Sequence, residues 1–219
     1  MKRFLLAAVV GLAAAAAARA HFVYLLVHPD GSKVQVVLSD ELAVDDAIDS
    51  AKFAATKLYF RGADGKDVAV PVTTDKHHLD AKVPGPGLLY GTTDYGVLQK
   101  GDAKPFALKY HSKAVVGPAG ASTVGDAVPI EIVPVVEASQ VKFRVLAKKA
   151  GVADVEVSVI LPGDKKEKVK TDKDGYTKAF AGAGRYGAWA RHVETSAGEA
   201  GGKKFDEVRH YATVVVDVK

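Results

Sequence analysis

Gly184-Arg185-Tyr186-Gly187-Ala188-Trp189-Ala190-Arg191-His192-Val193-Glu194 and Asp206-Glu207-Val208-Arg209-His210-Tyr211-Ala212-Thr213-Val214-Val215-Val216 are the two stretches whose reading decides the fold. Both are rich in β-branched and aromatic residues, which suit a pleated, half-buried surface, so both read as strands. Thr195 to Phe205, between them, is a Gly/Ala/Glu/Lys segment without periodicity. The simplest arrangement is an antiparallel hairpin closed by a long loop, with an Arg-His pair at the loop end of each strand. A register that sets His192 opposite His210 brings their Cβ atoms to about 4.5–5.5 Å on one face, within reach of one metal ion. A one-residue slip would send the rings to opposite faces.

Outward from this hairpin the chain keeps the same character. His21 to Val27 and Val34 to Leu38 flank Pro29-Asp30-Gly31-Ser32 and read as a hairpin. Ser39-Asp40-Glu41 precedes Leu42 to Ala55, where early acidic residues and a late Lys fit one short helix capped by Ser39 or Asp40. A second hairpin follows, Lys57 to Arg61 and Lys66 to Val72 around Ala63-Asp64-Gly65, then a short strand over His78 to Val83. Gly87 to Leu98 reads as a further strand. In Pro105 to Val116, Phe106, Leu108 and Tyr110 alternate with Ala107, Lys109 and His111, the pattern of a sheet with one wet face. Val128 to Val136 is a strand interrupted by Pro129 and Pro134, and a domain boundary is placed after it, near Glu137. Beyond it, Lys142 to Leu146, Val155 to Leu161, Val169 to Thr171 and Tyr176 to Phe180 complete the profile of a small sandwich.

The first residues carry a different signal. Lys2 and Arg3, the apolar run Phe4 to Ala18 and the Ala18-Arg19-Ala20 site form a secretory signal peptide, too short to span a membrane. Cleavage after Ala20 leaves 199 of 219 residues, read here as two domains. Losing Lys2, Arg3 and Arg19 takes the 30 basic residues down to 27, against 26 acidic ones. That balance argues against a nucleic-acid partner or an anionic membrane surface. The chain has no cysteine, which excludes disulfides, thiolate metal sites and Cys nucleophiles.

Chemistry concentrates on histidines. With Ala20 removed, His21 offers an α-amine and Nδ1 to a single ion, a chelate suited to Cu(II) or Ni(II). His192 and His210 form the second candidate. His111 is available as a further ligand, while His77-His78 lies among Asp75, Lys76 and Asp80 and reads as a solvated strand edge. Asp172-Lys173-Asp174-Gly175 lacks the remaining acidic positions of a calcium loop and reads as a hairpin turn. No Gly-x-Ser-x-Gly, His-Glu-x-x-His or phosphate-cradling glycine loop occurs.

His21-Phe22-Val23-Tyr24-Leu25, Thr93-Asp94-Tyr95-Gly96-Val97, Pro105-Phe106, Lys113 to Gly117, Pro129 to Pro134 and the two Arg-His strands resemble a family of secreted bacterial proteins of a domain of unknown function. That family includes periplasmic components of nickel and cobalt uptake systems. The resemblance implies a metal-related periplasmic role and a C-terminal domain similar to the carboxypeptidase-regulatory or prealbumin-like sandwiches.

The expectation is therefore an exported, all-β protein of two β-sandwich-like domains in tandem, with at most one short helix in the first. Residues 1–20 are the signal peptide, 21–137 the first domain and 138–219 an Ig-like or prealbumin-like sandwich. Its expected role is non-enzymatic binding of a divalent transition metal ion (Ni, Co or Cu) through His21, His192 and His210, with a membrane metal transporter as partner. Two other readings stand beside it: a copper oxidase or monooxygenase of the histidine-brace type, and a surface module that binds protein or glycan with its histidines incidental.

Overall fold

The computed structural model describes residues 21–117 and 123–219. The expected signal peptide lies outside the described residues. In chain order the strands are β1 (Phe22–Val27), β2 (Lys33–Ser39), β3 (Lys57–Arg61), β4 (Asp67–Val70), β5 (Thr73–Thr74), β6 (Leu79–Lys82), β7 (Gly87–Leu98) and β8 (Phe106–Val116). They continue with β9 (Ile130–Glu137), β10 (Gln140–Ala147), β11 (Ala150–Gly151), β12 (Glu156–Ile160), β13 (Lys166–Lys170), β14 (Phe180–Ala181), β15 (Gly184–Ala200) and β16 (Lys203–Val218). The fold is all-β, as expected. In place of a helix over Leu42 to Ala55 there is one 3-10 turn, Ser50–Phe53, capped by Asp49 rather than by Ser39 or Asp40. A second 3-10 turn covers Gly125–Ala127.

An eight-stranded sheet in the order β13-β12-β15-β16-β8-β7-β3-β4 forms the middle layer. Its two halves meet where β16 runs parallel to β8, Tyr211 beside Tyr110 and Ala212 beside His111. A four-stranded sheet, β1-β2-β6-β5, covers one face. There β1 and β2 pack with Leu58, Phe60, Leu89, Leu108, Tyr110 and Val215 into one core. The sheet of β9, β10, β11 and β14 covers the opposite face, where Ile132, Val141, Phe143 and Val145 meet Val157, Val159, Ala188, Ala212 and Val214. The result is two β-sandwiches in tandem that share their central sheet. β9 pairs with β10 over its whole length, Ile130 opposite Ala147 to Glu137 opposite Gln140, and so belongs to the second sandwich.

In the long hairpin His192 stands opposite His210, the register that keeps both rings on one face. The hairpin is not closed by a long loop. The strands continue through Thr195 to Phe205, with a register shift between Thr195 and Gly198, to a two-residue turn at Gly201-Gly202. Both glycines have positive φ, +57° and +73°, the primed-turn backbone that follows strand twist.

Strand β1 explains how the layers are joined. All six of its residues are buried, and one side of it pairs with β2. Along its other edge, backbone carbonyls accept from the central sheet: Val23 from Ser112 Oγ (2.8 Å) and Thr213 Oγ1 (2.6 Å), His21 from Tyr110 Oη (3.1 Å), Val27 from Arg185 Nη2 (2.7 Å). Three hydroxyls and the Arg185 guanidinium thus satisfy an edge that would otherwise bury unpaired acceptors.

The expected wet face of β8 is wet only at Lys109. His111 and Lys113 on that face are buried, because β9 and the segment before it cover them. Lys113 Nζ bonds Glu131 Oε2 at 2.7 Å, and the same carboxylate accepts from the backbone N–H groups of Val124 (2.8 Å) and Gly125 (3.0 Å). Burial pushes the Lys113 ammonium down to about 8 against the opposing pull of Glu131. A charge hidden in this way requires its partner.

Candidate metal centre

His21 sits at the head of β1, on the first-sandwich side of the central sheet. Phe22 anchors it there, stacked on Trp189 at 4.2 Å between ring centroids and 5.3 Å from the Tyr211 ring. One step beyond the Phe22–Ser39 pair, the antiparallel register of β1 and β2 brings Asp40 against His21. Asp45 reaches the same point from the following loop. Its Oδ2 lies 2.9 Å from His21 Nε2, and its Oδ1 accepts from the Ala47 N–H at 2.9 Å, which fixes the carboxylate. Ligand atoms of His21, Asp40 and Asp45 all fall within 4.8 Å of one another. The three residues are half-buried.

A carboxylate on Nε2 places the imidazole proton there and leaves Nδ1 bare. In a chain that begins at His21, Nδ1 would be the nitrogen able to close a chelate with the α-amine. The carboxylate–histidine pairing is the arrangement that orients a ligating imidazole and raises its basicity. Asp40 also meets Lys166 Nζ at 3.3 Å. Nearby, the fully buried Tyr24 hydroxyl has no hydrogen-bond partner. Burial, then the charge of Asp40, then Tyr110 push its ionisation well above the usual phenol range.

The other two expected ligands lie elsewhere. His192 and His210 stand side by side across β15 and β16, ring centroids 6.2 Å apart. They face the second sandwich, because His210 alternates with Tyr211 along β16, and Tyr211 packs against Phe22 on the first. The central sheet therefore separates this pair from His21. Both nitrogens of His210 are engaged by protein, Nδ1 with His111 Nε2 at 3.0 Å and Nε2 with Glu194 Oε2 at 3.3 Å. The structure brings His210 to His111 and Glu194, and brings His21 to two aspartates; it does not bring the three expected ligands together.

Sequence reasoning passed over Asp40 and Asp45 as site residues. Asp40 was legible in principle, since the hairpin register alone sets it opposite His21. Asp45 was not, because it arrives from an irregular loop. His77 Nδ1 bonds the Ile48 carbonyl at 3.0 Å, and His78 lies between Asp75 and Asp80. Asp172 Oδ1 accepts from the N–H groups of Asp174 and Tyr176, the hydrogen bonding of a turn.

No family model matches this chain, and no curated protein matches it. Among solved structures, a two fibronectin type-III domain segment from chicken tenascin is similar at 14% identity over 82% of this chain and 91% of that one, with a TM-score of 0.21. That likeness is too slight to inform fold or function.

Proposed function

We propose that this is an exported, non-enzymatic transition-metal-binding protein, an accessory of nickel or cobalt uptake, whose centre is built on His21. The observation that carries the reading is the convergence of His21, Asp40 and Asp45 at the residue that follows the expected cleavage site. Removal of residues 1–20 frees the His21 amine. The amine and Nδ1 then chelate the ion, Asp40 supplies an oxygen, and Asp45 holds the ring through Nε2. Two nitrogens and a carboxylate suit borderline first-row ions such as Ni, Co or Cu.

Calorimetric titration of the chain beginning at His21 with Ni(II), Co(II) and Cu(II) tests this. One ion should bind per chain. His21→Ala should abolish binding, and Asp45→Ala should weaken it by about 10–100-fold. His192→Ala should leave affinity unchanged. Loss of binding in His192→Ala with retention in His21→Ala would refute the reading. Ascorbate-dependent peroxide formation by the copper form would favour an oxidase instead.

A further inference from the structure

The chain Glu194–His210–His111 is not used by the metal reading, and it crosses the molecule at a particular place. His111 belongs to β8 and His210 to β16, and the β8–β16 pairing is the one hydrogen-bonded strand junction, among the described residues, between the strands before residue 117 and those after 123. Both rings are more than nine-tenths buried.

The hydrogen bonds fix the tautomers. Glu194 accepts from His210 Nε2–H, so His210 Nδ1 is bare and accepts from His111 Nε2–H. His111 Nδ1 is then bare as well, buried and without a protein partner. His111 lines a cavity of about 10 Å³ together with Lys113, Glu131, Tyr90 and Thr213, room for about one water. A polar line thus runs from exposed Glu194 to the buried Lys113–Glu131 pair, which also joins β8 to β9.

We propose that Glu194, His210 and His111 form an acid-sensitive latch that holds the two sandwiches together along the β8–β16 seam. The first proton enters at one of the two bare Nδ1 atoms and puts a positive charge into the buried pair; on His210 it also sets N–H against N–H at a 3.0 Å separation. A second proton leaves two cationic rings in contact. The groups facing them are Lys109 and Lys113 from β8, His192 and Glu194 from β15, and Glu131 from β9; Asp94 of β7 is paired with Lys109 at 3.7 Å. Lys109 and a third imidazole add to the repulsion, the charge of Lys113 is offset by Glu131, and Glu194 is the carboxylate in contact with the histidine pair. Burial first, then His210 and Lys109, holds His111 down to about 3, and burial lowers His210 against the opposing pull of Glu194, so the closed seam resists protonation and acid favours the open one.

Two measurements test the latch on the chain beginning at His21, without added metal. Long-range proton–nitrogen spectra of the imidazoles at pH 7.5 should show both His111 and His210 protonated at Nε2. Amide exchange at Tyr110, Tyr211 and Ala212, corrected for its intrinsic pH dependence, should quicken about tenfold per pH unit below about pH 6.5. In His111→Phe that pH dependence should become shallower, because one of the two buried rings that take up protons on opening is gone. An Nδ1–H tautomer for either ring, seam exchange insensitive to pH in the wild type, or an unchanged pH dependence in His111→Phe would each overturn the proposal. Should His111→Phe fail to fold, the two wild-type readings decide.

Discussion

At the scale of single residues, two buried groups set the response of the protein to its surroundings. His111 is held neutral, its pKa pushed down to about 3 by burial first and by His210 and Lys109 after it. In the unfolded chain the same ring titrates near 6.5, so as pH falls the unfolded state takes up the proton first. Stability is complete above about 6.5 and is lost progressively toward 3. Between pH 7 and pH 5 the loss from this group is about 2 kcal/mol. Urea denaturation at the two pH values should show it in the wild type, and His111→Phe should reduce the difference by that amount. Lys113 is the second group. Lys113→Met leaves Glu131 buried with its charge unpaired and should cost about 3–5 kcal/mol by the same assay. A cost below about 1 kcal/mol would mean that water reaches the carboxylate.

At the scale of elements, the account rests on β1 as an edge strand capped by hydroxyls from another sheet. Thr213→Val keeps the shape and removes a bond of 2.6 Å to the Val23 carbonyl; Ser112→Ala removes the companion bond. Each should cost about 1 kcal/mol in thermal unfolding, and the double variant more than the sum, because the carbonyl is then left without either donor. Strict additivity would indicate that a water replaces them. The strands themselves were legible from alternation and turn chemistry, since Asp-Gly and β-branched runs act locally; the pairing of His192 with His210 was one of the registers open to the hairpin, and the structure selects it. The extension of the hairpin to Gly201-Gly202 was not legible. Residues 194–206 are largely exposed on both faces and carry no apolar period, so nothing in their composition separates a protruding ribbon from a loop. Alternation in β8 told which residues share a face but not that β9 would cover the polar one; Lys113 and His111 look like surface residues until Glu131 and His210 are placed against them.

At the scale of the whole molecule, the two sandwiches are not separable units, because β8 takes its second hydrogen-bonded neighbour from the C-terminal half. A chain ending at residue 129 would leave that edge bare across Phe106 to Val116 and expose the Lys113 and His111 face. It should lack the dispersed amide spectrum of a folded sandwich, and the intact protein should unfold in a single cooperative transition. A folded fragment would show the first sandwich to be self-sufficient. The parallel seam was hidden from sequence reading because β8 and β16 are about a hundred residues apart. The surroundings of His21 were hidden in the same way: the sheet that pairs His192 with His210 also walls them off from His21, and Asp40 at the β2 end and Asp45 from the following loop stand beside it instead.

The proposed metal centre depends on His21 carrying a free α-amine. The most direct measurement is metal affinity in two chains that differ by one residue, one beginning at His21 and one retaining Ala20 before it. The fold of both should be the same by thermal unfolding without metal. The account predicts that the chain beginning at His21 binds one Ni(II) or Cu(II) and that the extended chain, with an amide where the amine should be, loses most of that affinity. Equal affinity in the two chains would contradict it.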